Sequence, residues 1–213
     1  MKNSAIVDYY QKKLSDFGDT HEGLGWPNYR DTQLRHWLML DMIPKFPTNP
    51  ISLVDIGCGT GDLHTYIKNN ELSNIKYTGI DISDTHIKIA KEKHPDGNYY
   101  CLDILEYDDW GRYDFAILNG LFTVKSDLTQ VRMDIFLKAM ISEIYSNIEL
   151  GCAFNVMSKN VEWERDDLYH LSLDGLTKWI TSDISRNFSI RQDYGLYEYT
   201  CAVYKHRNTP YIT

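Results

Sequence analysis

A chain of 213 residues with a net charge of −8 and ordinary apolar content has the size for one α/β domain with its own core. The acidic balance, with no lysine/arginine cluster, argues against nucleic-acid binding, which depends on neutralising phosphates, and favours a small-molecule substrate. No apolar run approaches a membrane span, and the stretch from Met1 to Asp8 lacks a signal-peptide core, so a cytoplasmic protein with no membrane partner is expected. Cys58, Cys101, Cys152 and Cys201 lie far apart without a CxxC pair, which predicts buried, reduced thiols. The histidines show no ligand spacing, and no metal is expected.

In chain order, Ile6, Tyr9, Tyr10, Leu14 and Phe17 recur at helical spacing and predict an amphipathic helix over 4–17. A loop rich in Gly and Trp runs from Gly18 to Asn28. Asp31 is then the expected cap of a second helix carrying Leu34, Trp37, Leu38, Met42 and Ile43, with Pro44 and Pro47 as its stop. From Ile51 strands and helices alternate. Strands are predicted at 51–56, 76–81, 98–102, 113–119, 151–157, 187–194 and 197–204, and helices at about 61–69, 84–93, 127–148 and 174–185. Such alternation predicts a doubly wound, Rossmann-like, mostly parallel seven-stranded sheet with helices on both faces. The last two strands, separated by Gly195-Leu196, are expected to form an antiparallel hairpin. The whole reads as one domain over 1–213, a helical cap over 1–50 and a core over 51–205.

The most informative stretch is Leu53-Val54-Asp55-Ile56-Gly57-Cys58-Gly59-Thr60-Gly61-Asp62-Leu63. An apolar strand ends beside an acid and runs through three alternate glycines into a helix, the layout that brings backbone N–H groups close to a nucleotide-like ligand. Gly-x-Gly-x-Gly is one residue tighter than the dinucleotide fingerprint, and with Asp55 it points towards S-adenosylmethionine rather than a nicotinamide. Asp81 closes the next strand, 20 positions beyond Gly61, where a carboxylate suits a ribose diol. Thr60 and Asp62 are the simplest caps for the helix that follows.

With Tyr77-Thr78-Gly79-Ile80-Asp81-Ile82, Cys101-Leu102-Asp103-Ile104 and Tyr113-Asp114-Phe115-Ala116-Ile117-Leu118-Asn119-Gly120-Leu121-Phe122, the chain from Ile51 to Lys205 resembles the class I S-adenosylmethionine-dependent methyltransferases. The resemblance implies S-adenosyl-L-methionine as the cofactor, with the backbone of Gly57, Cys58, Gly59 and Gly61 beneath its methionine and ribose. Asp55 shares capping and cofactor duty. Ile82 and Ile104 flank the adenine, Asp103 accepts from its amino group, and Asn119 stands at the reaction centre. The absence of Asn-Pro-Pro-Tyr at that point disfavours nucleobase or glutamine acceptors.

The first residues resemble a bacterial small-molecule subgroup with a Tyr-Tyr helix, a Gly-Trp loop and a Gln-x-Arg helix. There Tyr10, alongside Tyr9, and Trp26 are candidates to face the sulfonium. Arg35 is a candidate partner for the cofactor's carboxylate. His21 and His170 are candidate general bases, each set against an ordinary structural role. The segment Asn160–Leu171 is either a substrate lid or a solvated connector. The expected function is methyl transfer to a small molecule, such as a sugar or other biosynthetic intermediate, by a monomer or homodimer. A nucleic-acid or protein methyltransferase, or a non-catalytic cofactor-binding partner protein, are the alternatives.

Overall fold

The computed structural model describes residues 4–45 and 50–208. Met1 to Asn3 and the expected helix stop Pro47 lie outside them. Helix α1 (Ser4–Phe17) turns Ile6 and Leu14 inward and leaves Phe17 at the surface. Helix α2 (Tyr29–Asp41) starts at Asn28, not at Asp31: the Asn28 side chain accepts from Arg30 N at 2.8 Å and Asp31 N at 3.4 Å. Asp31 falls in the first turn instead, where its charge complements the helix dipole. Trp37, expected inside, is exposed, with the Arg191 guanidinium 5.4 Å from its ring centre.

The core then follows the expected alternation: β1 (Ile51–Ile56), α3 (Asp62–Asn69), β2 (Ile75–Asp81), α4 (Asp84–Lys93), β3 (Asn98–Cys101), β4 (Tyr113–Phe122), α5 (Gln130–Asn147) and β5 (Ile148–Ser158). After it come β6 (His170–Leu171), α6 (Leu173–Trp179), β7 (Phe188–Arg191) and β8 (Glu198–Tyr204). The strand order is β3-β2-β1-β4-β5-β8-β7, with the first five parallel and β8 antiparallel to both its neighbours. Side chains alternate across the sheet. Val54, Ile56, Ala116 and Leu118 pack with α5 on one face, and Leu53, Phe115 and Ile117 pack with α2, α3 and α4 on the other. Order reverses between β1 and β4, and the crevice at such a switch point is where a parallel sheet binds ligands.

Four further features depart from the sequence reading. The two-residue strand β6, paired to the end of β5, is too short to carry a period. The final turn is longer than Gly195-Leu196: pairing stops at Arg191↔Thr200, leaving 192–197 as the connection. Arg191 holds that loop open by gripping Asp193 through Nε at 2.9 Å and Nη2 at 3.0 Å. The last helix is capped by Ser172 and relaxes into a π turn over Ile180–Ile184. Cys101 is exposed, against expectation, because it ends the edge strand β3; the other three cysteines are buried.

The cap is fixed to the sheet by a buried ion pair. Arg35 of α2 donates through Nε to Glu198 Oε1 at 2.8 Å and through Nη2 to Oε2 at 2.9 Å. Asn155 Nδ2 donates to the same Glu198 Oε1 at 3.0 Å, while its Oδ1 accepts from Gly120 N at 2.7 Å. Glu198 is 1% exposed. Losing one partner leaves an uncompensated buried charge, so Glu198→Gln is expected to destabilise the fold by about 3–5 kcal/mol in urea denaturation. The double variant Arg35→Met/Glu198→Leu is expected to recover most of that loss.

Candidate functional site

Gly57, Gly59 and Gly61 all take left-handed backbone, with φ of 76°, 55° and 83°. The turn is drawn onto β2, with Gly57 N and Cys58 N donating to Ile80 O at 2.8 and 3.1 Å. Asp81 then clasps it: Oδ2 accepts from Gly59 N at 2.9 Å and Oδ1 accepts from Ser83 N at 2.8 Å. Gly61 starts α3 with no side-chain cap. A Cβ there would stand 2.6 Å from the Tyr99 hydroxyl, so both its φ and its space demand glycine.

Thr60 and Asp62 therefore do not cap the helix. Thr60 Oγ1 donates to Asp19 Oδ1 at 2.5 Å, and Lys93 Nζ bridges Asp62 at 3.2 Å and Asp19 at 3.0 Å, tying the glycine turn to the cap loop. Behind the turn Asp55 is buried, and its Oδ2 accepts from the Tyr77 hydroxyl at 2.8 Å. Burial pushes its carboxyl up to about 7; Tyr77 opposes the shift, and Asp81 and Asp62 add to it.

The turn opens on a cleft with about 1240 Å³ of atom-free space, part of it open to solvent. Its strand-end side is lined by Asp55, Gly57, Cys58, Gly59, Asp81, Ile82, Asp103 and Ile104, with Phe136 and Met140 of α5 also in the wall. Asp103 Oδ1 accepts from Leu105 N at 3.0 Å, which fixes the carboxylate at the end of β3. The cap side is lined by Tyr10, Leu24, Trp26 and His36, with Asn119 and Gly120 of β4. Tyr10 donates to Gly120 O at 3.3 Å. Trp26 lies over Gly120, where a Cβ would come within 2.8 Å of the indole. Burial drives the Tyr10 hydroxyl's pKa upward, so it stays protonated.

Four expected site residues lie off the cleft. Gly61 acts through the helix start. Arg35 is turned to Glu198, and its guanidinium stacks 4.5 Å from the Trp26 ring centre. His21 Nδ1 is bonded to Trp26 O at 2.9 Å and closes the cap loop. His170 is buried, with Nδ1 donating to Ser158 O at 2.7 Å and Nε2 accepting from Arg165 N at 3.2 Å. Both ring nitrogens are spent on backbone, so His170 is a structural histidine. The charged segment around it places none of its residues in the lining of the cleft. It is held by Lys125 N donating to Asp167 O at 3.0 Å and by the Arg165–Asp167 pair.

Sequence reasoning missed His36, Leu24, His86, Phe136 and Met140 on the cleft wall. His36 had a legible signal: Thr32, Arg35 and His36 are polar residues on the face of α2 that also buries Met39.

The chemistry of the wall tests which cofactor fits. Asp55, Asp62, Asp81 and Asp103 line the cleft, no lysine or arginine is among the described lining residues, and Lys93, which pairs with Asp62, lies outside that wall. A pyrophosphate would meet like charge there, whereas a nucleoside carrying a sulfonium suits acceptor carboxylates between apolar walls. Residues 54–136 match the family model described as a methyltransferase domain. The chain contains a methyltransferase domain, and it is similar to the class I S-adenosylmethionine-dependent methyltransferases.

This methyltransferase is similar to a Mycobacterium tuberculosis protein described as a methyltransferase, 26% identical over 162 residues, 74% of this chain and 95% of that one. A malonyl-[acyl-carrier protein] O-methyltransferase of Acetivibrio thermocellus is 33% identical over 92 residues, 42% of this chain but only 32% of that relative. Among solved structures, magnesium protoporphyrin IX methyltransferase from Synechocystis PCC 6803 with bound S-adenosylmethionine superposes with a TM-score of 0.65 at 18% identity, covering 97% of this chain and 98% of that one. A plantazolicin methyltransferase in complex with a substrate analogue and S-adenosylhomocysteine gives 0.62 at 15% identity over 96% of both chains. At such identity the two structures speak for the fold.

Asp55 gives the methyltransferase a testable pH signature. Its folded pKa of about 7 lies above the unfolded value, so its stabilising contribution is complete below about pH 4 and is lost as pH rises through 7. Asp55→Asn removes that loss while keeping an acceptor for Tyr77. Between about pH 5 and pH 7 the variant is expected to gain up to about 2–3 kcal/mol on the wild type, measured by urea denaturation without cofactor.

Proposed function

We propose that this enzyme moves the methyl group of S-adenosylmethionine to a small molecule such as a sugar or other biosynthetic intermediate. In this reading the four strand ends hold the donor and the N-terminal cap covers the acceptor. The observation that carries the reading is a single cleft whose wall includes both Asp81 and Asp103 of the sheet and Tyr10, Trp26 and His36 of the cap. When bound, S-adenosylmethionine supplies an electrophilic methyl group on a positively charged sulfur.

The residues divide the work by chemistry. Asp81 accepts from the ribose hydroxyls with the lone pairs left free by Gly59 N and Ser83 N. Asp103 accepts from the adenine amino group, and Ile82 and Ile104 flank the ring. The backbone of Gly57, Cys58 and Gly59 lies beneath the ribose and methionine, and Asp55 stiffens that backbone from behind. Tyr10 and Trp26 present aromatic faces that favour a sulfonium. Asn119 stands where the donor side meets the acceptor side.

The cap's contribution to rate is positioning and exclusion of water, which suffices for a neutral amine nucleophile. In this reading neither His21, which lies off the cleft, nor His170, whose two ring nitrogens are bonded to backbone, serves as the base. The named relatives act on a porphyrin, a plantazolicin and a malonyl-acyl carrier, so kinship supports the donor and leaves the acceptor to this chain's own cap.

Calorimetry with S-adenosylhomocysteine and with NAD, followed by labelled methyl transfer to sugars, biosynthetic acids, RNA and protein, tests the reading. S-adenosylhomocysteine is expected to bind and a small molecule to take the label. Binding of NAD alone, or label found only in RNA or protein, would overturn it. Asp81→Asn is expected to weaken S-adenosylhomocysteine binding by about 1.5–3 kcal/mol, roughly 10- to 150-fold, with the melting temperature checked in parallel.

A further inference from the structure

The acceptor end of the cleft holds a polar pair that the donor does not need. His36, buried on α2, and Asn119, in the second half of β4, both line the cleft. Asn119 Nδ2 donates to His36 Nδ1 at 3.3 Å, which places the imidazole proton on Nε2. His36 Nε2 and Asn119 Oδ1 are then left buried without a hydrogen-bond partner among the described residues. Burial, and next the charge of neighbouring Arg35, push the His36 pKa down to about 4, so the ring is neutral at physiological pH.

The pair therefore offers one unmatched donor and one unmatched acceptor. If the amide turns over, its NH₂ becomes the free donor and Nε2 the free acceptor, and the sum is unchanged. Such unmet valences in a cleft wall call for a guest that supplies both complements.

We propose that His36 and Asn119 recognise the methyl acceptor through a neutral group that both donates and accepts a hydrogen bond, a hydroxyl or an N–H amide. A carboxylate or phosphate does not fit: it offers no donor to Asn119 Oδ1, and no lysine or arginine lines the cleft to balance its charge. An ether or tertiary amide fails for want of a donor. Tyr10 and Trp26, which meet at Gly120 beside Asn119, give the rest of the guest a flat apolar surface. His36 is a positioning residue in this scheme, since a ring that resists protonation is a poor general base at neutral pH.

The inference rests on the methyltransferase reading above, and the test keeps the two apart. The full chain is saturated with S-adenosylhomocysteine, and ligand-observed NMR then measures the affinities of phenol, benzamide, anisole, N,N-dimethylbenzamide and benzoate. Phenol or benzamide is expected to bind at least about tenfold more tightly than the other three. Its binding is expected to shift the His36 Nε2 resonance in ¹⁵N-labelled protein and to weaken about tenfold or more in His36→Phe. His36→Gln, which keeps a donor and an acceptor, is expected to restore part of the affinity.

Equal binding of anisole or benzoate, an unmoved His36 resonance, or no binding of any probe would overturn the proposal. A fall in S-adenosylhomocysteine affinity in both His36 variants would overturn it too, by placing the residue on the donor. Failure of the wild type to bind S-adenosylhomocysteine would instead sink the methyltransferase reading itself.

Discussion

The Arg35–Glu198 ion pair sets the geometry on which the rest of the cleft depends. It joins α2 to β8, and through Asn155 it reaches the backbone of Gly120 at the end of β4. The cap lines the cleft because this pair holds it there. Trp26 stacks on Arg35 and lies over Gly120, and Tyr10 donates to the Gly120 carbonyl from the other helix. Two cap helices and two strands thus converge on one glycine. Burying an ion pair is seldom a source of net stability, since desolvation offsets most of the attraction. A more reasonable role here is specificity of position: only one orientation of α2 satisfies both prongs of the guanidinium.

A second constraint is the concentration of carboxylates around the glycine turn. Asp81 is tied to two backbone N–H groups, Asp62 to Lys93, and Asp55 to a tyrosine hydroxyl. Asp55 is the one without a cation or an N–H partner, and it is the one whose proton affinity rises. Beneath the turn, Tyr77, Tyr99 and His64 fill the space against the sheet, with His64 Nδ1 bonded to the Tyr99 hydroxyl at 2.7 Å. Glycine at 61 follows from that packing as much as from ligand approach. The turn is shaped from below by aromatic rings and from above by Asp81.

Most of the fold was legible because strand–helix alternation is a local signal repeated many times. Asp55, Asp81, Asp103 and Asn119 all line the one cleft, and each goes with a clear apolar run, although β4 continues past Asn119 to Phe122. What could not be read was the choice of partner. Arg35 is as suited to a ligand carboxylate as to Glu198, and the two residues are 163 positions apart. His170 carries two backbone bonds that exist only because a two-residue strand pairs with the end of β5, and that strand is too short to show a period. His36 shares its buried face with the adjacent Arg35, and the polar pattern on that face does not separate their roles. Local pattern reveals which face of a helix is buried, but tertiary pairing decides which polar group on that face remains free.

The free groups that remain are the more telling for being few. A buried donor or acceptor without a partner costs about 1–3 kcal/mol, and among the described residues of this wall His86 Nδ1 shares that state with the His36–Asn119 pair. His36 Nε2 and Asn119 Oδ1 incur that cost side by side, bonded to each other through their remaining atoms. A core under selection for stability alone would place two apolar side chains there at lower cost. The donor's end of the cleft shows no such deficit in its aspartates, each of which has a protein partner before any ligand arrives. The described wall leaves ring or amide atoms unmet at His36, Asn119 and His86, and the two that are bonded to each other are the ones that the proposed acceptor would complete together.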